Sequence, residues 1–157
     1  MRFLDANPFV YAYYKPKRAL TDEEKLMKEK AKEIVARVSN GEEQVLTTVV
    51  HISEASNILK RRMAPPELSE LISGLLTSEN VQVEGVTPED YLGAVESSPD
   101  LEVDPNDSLA VRLMRSHEVK EIFTFDRGFD RVEGIRRVPG DKPANVPPGD
   151  RGHIQGV

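Results

Sequence analysis

Apolar residues fall along this chain in short solid blocks, separated by longer stretches whose apolar positions repeat with a helical beat. The first block, at residues 2–4, reads as a short strand that stops at Asp5. Residues 6–14 read as a short helix or turn, with Pro8 tolerated in its first turn. In LTDEEKLMKEKAKEIVARVSNG, Met27, Ala31, Ile34, Val35 and Val38 trace one apolar stripe on an otherwise charged helix. Thr21 and Glu24 have the spacing of a capping box at its start, and Asn40-Gly41 ends it. QVLTT, residues 44–48, predicts a second strand, and VVHISEASNILKRR a following amphipathic helix. Pro65 and Pro66 interrupt the chain before a helix that carries Leu68, Leu71, Ile72, Leu75 and Leu76 at core spacing. VQVEGV is a short strand from Val81. Pro88, with Thr87 as its cap, starts a helix that runs to roughly Ser97. SSPDLEVDPND predicts a turn-rich connection into the helix SLAVRLMRSH, whose buried face is Leu109, Ala110, Leu113 and Met114. EIFTFD, residues 121–126, and IRRV, residues 135–138, read as the last two strands.

Strands that alternate with helices predict a mainly parallel sheet covered on both faces, a three-layer α/β/α sandwich of about five strands. The 157 residues suffice for one domain with a proper core, placed at residues 1–138. From 139 to 157, Pro, Gly and polar residues predict a tail or an arm that contacts a partner.

Composition narrows the chemistry. The absence of cysteine excludes disulfides, thiolate zinc sites and cysteine nucleophiles. His51, His117 and His153 lack the spacing of a zinc motif, so any metal would need oxygen ligands, which favours Mg²⁺ or Mn²⁺. A net charge of -6 argues against broad non-specific binding to nucleic acid. It leaves room for a phosphodiester substrate, because a bound cation reconciles an acidic site with a phosphate. No apolar stretch reaches membrane-spanning length and no basic-then-apolar leader opens the chain, so the expected compartment is the cytoplasm.

In an open α/β sheet, ligands gather beyond the carboxyl ends of the strands, where strand order reverses. Asp5 sits at that end of the first predicted strand and Asp126 at that end of EIFTFD. Glu54 lies on the helix after the second strand, and Asp107 opens the helix that leads into EIFTFD. Each acid alone has an ordinary explanation. Asp5 and Asp107 suit helix N-termini, Asp126 suits an Asx turn, and Glu54 suits a solvent-facing helix position. Four independent caps explain the joint pattern less well.

The motifs around these acids resemble the PIN-domain family, in particular the toxin (VapC-like) ribonucleases of prokaryotic toxin–antitoxin pairs. FLDAN resembles the family's opening strand and first acid, with Asn7 two places after Asp5. TTVVHISEASNIL resembles its second segment, with Glu54 as the acid, and NDSLAV its third, with Asp107. IFTFDRGFD resembles its fourth, with Thr124, Asp126 and Phe129 in the usual pattern. The resemblance spans residue 1 to about residue 138.

That resemblance implies a PIN-like sandwich and a Mg²⁺- or Mn²⁺-dependent endoribonuclease that cuts single-stranded RNA and leaves 5′-phosphate and 3′-hydroxyl ends. It places Asp5 and Asp107 on the metal, with Glu54 and Asp126 completing the cage directly or through water, and Asn7 and Thr124 in support. Asp104 is an alternative for the third acid and Asp130 for the fourth. The resemblance also implies an antitoxin partner and a homodimer. The rival reading is a non-catalytic PIN-like module that binds RNA or protein. Lys15, Lys17, Arg18, Lys60, Arg61, Arg62 and Arg127 could guide RNA, though each reads first as ordinary exposed charge. Phe9, Tyr11, Tyr13 and Tyr14 read as core or dimer packing before base stacking. His51 and His117 read as structural.

Overall fold

The computed structural model describes residues 1–140. Five strands, β1 (Arg2–Leu4), β2 (Val45–Thr48), β3 (Val81–Glu84), β4 (Glu121–Phe123) and β5 (Arg136–Val138), form one sheet in the order β3-β2-β1-β4-β5. Every pairing is parallel, with Phe3 opposite Leu46 and Ile122, and Leu4 opposite Phe123. Helices fill the crossovers in pairs. α1 (Asn7–Ala12) and α2 (Asp22–Ser39) follow β1, α3 (Val49–Leu59) and α4 (Pro65–Thr77) follow β2, and α5 (Pro88–Leu101) and α6 (Pro105–Ser116) follow β3.

The strands are apolar on both sides because successive side chains enter opposite layers. Leu4, Val45 and Phe123 join Phe9, Ile34, Val35, Val38, Ile52 and Leu59 in a core under α1 to α4. Their neighbours Phe3, Leu46 and Ile122 join Ala110, Val111 and Met114 of α6, with Phe129 and Val132, in a second core. The three-layer sandwich is therefore present. Local chemistry sets the helix ends as the sequence predicts. Thr21 with Glu24, and Thr87 with Asp90, form complete capping boxes. Pro65 and Pro66 fall at the break between α3 and α4 as expected, and they open α4, where a missing N–H costs nothing.

Two expectations are corrected. α5 does not stop near Ser97 but continues to Leu101, through Pro99, and ends where Glu102 adopts a left-handed backbone (φ 56°). β4 is shorter than EIFTFD. Its strand geometry ends at Phe123, and Thr124 to Asp126 form a bend into a 3₁₀ turn, Arg127–Arg131. The tail expected from 139 onward falls, beyond Gly140, outside the described residues.

The strand order places a switch point between β1 and β4. The chain leaves β1 toward β2 and β3, then returns to lay β4 on the other edge of β1. The crossovers at these two neighbouring strands depart in opposite directions, which opens a crevice at their carboxyl ends. Asp5 and the 124–126 bend both lie there.

Candidate active site

Asp5 is the residue immediately after β1, and it is buried. Its backbone N–H continues the ladder to Phe123 O at 3.2 Å, so the side chain leaves from a rigid point. Oδ1 accepts from Ala6 N–H at 2.8 Å, and Oδ2 accepts from the Thr124 hydroxyl at 2.8 Å. Thr124 Oγ1 also lies 3.1 Å from Asn7 Oδ1 and accepts from Asp126 N–H at 3.1 Å. Asn7 Oδ1 in turn accepts from Phe125 N–H at 3.1 Å. Asn7 and Thr124 thus tie the end of β1 to the bend after β4. Asp126 lies in that bend, three residues past the strand, and its Oδ1 accepts from Gly128 N–H at 2.8 Å. A Cβ on Gly128 would meet that oxygen at 3.1 Å, so the turn keeps a glycine against the carboxylate.

Glu54 reaches the crevice from α3. Thr48 caps this helix and also holds the buried His51. The imidazole spans two helices: Nδ1 lies 2.7 Å from Thr48 Oγ1, and Nε2 lies 3.1 Å from the Asn106 carbonyl. A carbonyl only accepts, so Nε2 carries the proton and Nδ1 takes one from Thr48. Burial lowers the His51 pKa to about 4 although the Asn106 carbonyl pulls the other way, so the ring is neutral. His51 is a strut between α3 and the first turn of α6, in keeping with a structural role.

That first turn supplies the other acids. Asp104 caps α6, its Oδ1 accepting from Asp107 N–H at 2.8 Å. The Asn106 side chain hydrogen-bonds Glu54, and its Oδ1 accepts from Tyr91 OH at 2.5 Å. Asn106 and Tyr91 had no place in the sequence reading. The only signal available there is an amide directly before Asp107, which by itself reads as part of a turn.

Asp5, Glu54, Asp104, Asp107 and Asp126, with Asn7, line one cavity of about 50 Å³, together with Val10, Tyr11 and Ile58. No lysine or arginine is among the lining residues. Burial first, and then neighbouring carboxylates, raise the pKa of Glu54 to about 7 and lift those of Asp5 and Asp107 well above the usual range. For Asp107 the repulsion comes from Asp5, Asp104, Asp126 and Glu54 alike. Among the described residues, no three His, Cys, Asp or Glu side chains stand ready as a finished metal cage.

Asp130 is not part of this site. Its carboxylate pairs with the buried Arg137 guanidinium at 3.1 and 3.2 Å. Asp130→Asn should therefore cost roughly 1–3 kcal/mol by leaving that cation underpaired. A urea titration measures this, and RNA cleavage per folded molecule should not change.

Arg18 is engaged bidentately by Glu24 at 2.6 and 3.0 Å. Arg62 donates to Lys15 O at 3.0 Å and stands 5.9 Å over the Tyr14 ring, which gathers the loop after α1 against the end of α3. Phe9, Tyr11 and Tyr14 are buried, and Tyr11 packs on Phe125 at 4.8 Å, so they serve the core.

An all-parallel five-stranded sandwich with carboxylates from four segments at its switch point defines the class of acidic-pocket α/β proteins. The PIN domain family model matches residues 2–135, and the chain belongs to that family. Among solved structures, the chain resembles VapC20 of Mycobacterium tuberculosis, a sarcin-ricin loop cleaving toxin. The identity is 21%, the match covers 83% of this chain and 93% of the toxin, and the TM-score is 0.61. No curated protein sequence matched. No helix among the described residues is long and apolar enough to cross a membrane.

Proposed function

We propose that this protein is a divalent-metal-dependent endoribonuclease acting on unpaired RNA, the toxin of a toxin–antitoxin pair, with Mg²⁺ or Mn²⁺ as its ion. The observation that carries the reading is the convergence of Asp5, Glu54, Asp104, Asp107 and Asp126 on one pocket, unlined by lysine or arginine, of a PIN domain. Membership of the family and the likeness to an RNA-cleaving toxin support it.

The donor set suits a hard cation. It consists of oxygens only, and the elevated carboxyl pKa values show electrostatic stress that a positive ion would relieve. Because no three acids form a ready cage, one or two would bind directly and the rest through water, as Mg²⁺ allows. Asp5 and Asp107 take the direct role, with Glu54 and Asp126 completing the set. Asp104 has one oxygen committed to its helix cap. Held by these carboxylates, a divalent ion would supply positive charge to a phosphate oxygen and would lower the pKa of bound water.

The chain's own residues do the rest. Ala6 N–H and Thr124 fix the Asp5 carboxylate before any ligand arrives. Glu54, oriented by Asn106 and with a pKa near neutrality, is the residue to take a proton from the attacking water. Asn7 and Thr124 keep the bend bearing Asp126 against β1.

The acidic pocket would accept a basic side chain from an antitoxin. Leu92 and Val95, exposed one turn apart on α5, offer apolar surface to a second copy of the chain in a homodimer. The proposed unit is a domain of residues 1–138 working in the cytoplasm.

The test is a panel of defined unpaired RNAs incubated with the protein in Mn²⁺, in Mg²⁺ and in chelator. Cleavage only with metal, leaving 5′-phosphate and 3′-hydroxyl ends, is the expected result. RNA that is bound but never cut would favour the non-catalytic module, and cleavage undiminished in chelator would remove the metal from the account.

A further inference from the structure

A second concavity adjoins the acidic pocket. It is a groove of about 870 Å³, lined on the α3 side by Val49, Val50, Ser53, Glu54 and Asn57, and across from it by Val86, Thr87, Pro88, Tyr91 and Asn106. Its size falls in the range of ordinary ligand sites. Glu54 borders both spaces, and Asn106, which hydrogen-bonds Glu54, borders the groove. Whatever fills the groove is therefore the immediate neighbour of whatever sits at the acids.

The lining chemistry selects the occupant. No lysine or arginine lines the groove and a carboxylate stands at its edge, so it is a poor place for a second phosphate. Its walls are chiefly apolar, with Val49 exposed, while Ser53, Asn57 and Thr87 supply hydroxyl and carboxamide groups. A flat neutral ring with polar edges matches this combination, since such walls take the faces and amides take the edges. Arg62, which bonds the Lys15 carbonyl, lies beyond the far end of α3.

We propose that this groove is a nucleobase subsite: it takes up the unpaired base next to the phosphate held at the acids and so sets which bond is cut. This rests on the ribonuclease reading. Ser53 and Asn57, both exposed on α3, are the residues that read the base edge. Tyr91 couples the groove to the acids, because its hydroxyl bonds the same Asn106 amide that bonds Glu54. A base seated against Tyr91 would thereby bear on the residue that accepts the proton.

The experiment uses the full chain and a set of unpaired RNAs that differ only at the nucleotide beside the cleaved bond, one carrying an abasic site there. The parent should prefer particular bases, and the abasic RNA should fall roughly tenfold in kcat/KM, the scale of a lost hydrogen-bonded contact. In the double variant Ser53→Ala/Asn57→Ala, that preference should flatten and the penalty of the abasic site should shrink. Equal base preference in parent and variant overturns the subsite. A second arm does not need cleavage: RNA carrying 4-thiouridine at the same position is photocrosslinked to the parent in chelator. Crosslinks within residues 49–57 or 86–91 support the subsite even if no RNA is cut, an outcome that would sink the ribonuclease reading alone. Crosslinks confined to other segments overturn it.

Discussion

Asp5→Asn is expected to lower metal-dependent RNA cleavage by roughly a thousandfold or more, equivalent to about 4 kcal/mol of transition-state stabilisation. The fold should survive, for a reason visible in the hydrogen bonds. The new carboxamide oxygen can keep the Ala6 N–H that Oδ1 now accepts. Its NH₂ group would face Thr124, whose hydroxyl can turn its proton to Asn7, 3.1 Å away, and accept instead. A buried charge disappears as well. Steady-state kinetics alongside a thermal melt separate the two effects. Full activity in a folded mutant would remove Asp5 from the mechanism, and collapse of the fold would make it a structural cap.

Glu54→Gln is expected to stabilise the protein in chelator at pH 8 and to change little at pH 4. Folding raises the Glu54 pKa from 4.5 to about 7, so the folded state holds this proton more tightly than the unfolded state. Stability from that difference is complete below pH 4.5 and is lost as pH climbs to about 7. The glutamine stays neutral throughout and can still accept from Asn106. At pH 8 the gain should be about 1–2 kcal/mol, allowing for the partial exposure of Glu54. Denaturant titrations at the two pH values measure it. Saturating Mn²⁺ should reverse the order, because the parent gains binding energy that the variant forgoes. A variant less stable than the parent at pH 8 in chelator would mean that the Asn106 bond to the charged form outweighs the repulsion.

Much of this architecture is legible in the chain because strong local signals agree with the fold. Phe3-Leu4, Val45-Leu46 and Ile122-Phe123 are paired apolar residues with no polar alternation, the mark of strands buried on both faces. The Thr21 box and the Thr87 cap mark two helix starts, and both form, Thr87 as a full box with Asp90. The departures have local causes. FTFD continues an alternating pattern, and Thr124 N–H still bonds Val138 O, but the Asp126 side chain bonds Gly128 N–H, so the chain turns into a 3₁₀ turn from Arg127 instead of extending the strand. Pro99 reads as a helix breaker, yet it falls in the last turn of α5, where only two helical residues remain to be carried.

Asp5 directly follows β1 and Asp107 lies in the first turn of α6, positions that pattern alone marks, whereas Glu54 inside α3 and Asp126 three residues past β4 carry a weaker signal. Their supports carry none. His51 gives no sign in sequence that it braces the Asn106 carbonyl 55 residues away, and the Tyr91, Asn106 and Glu54 contacts link three helices. Only packing reveals such long-range partners. Asp126, at the end of the β-rich run, is the better candidate by pattern than Asp130; in the structure Asp126 lines the pocket and Asp130 pairs with Arg137 instead.

The central claim is that carboxylates from separate segments act as one cation site, and Mn²⁺ binding measured calorimetrically tests it most directly. Titrations at pH 7 in two buffers of different ionisation enthalpy also count released protons. The prediction is saturable binding with release of about one proton, as the ion displaces a proton shared by the strained acids. Asp5→Asn should abolish both. No binding by the parent, or binding of equal strength by the folded mutant, would contradict the account.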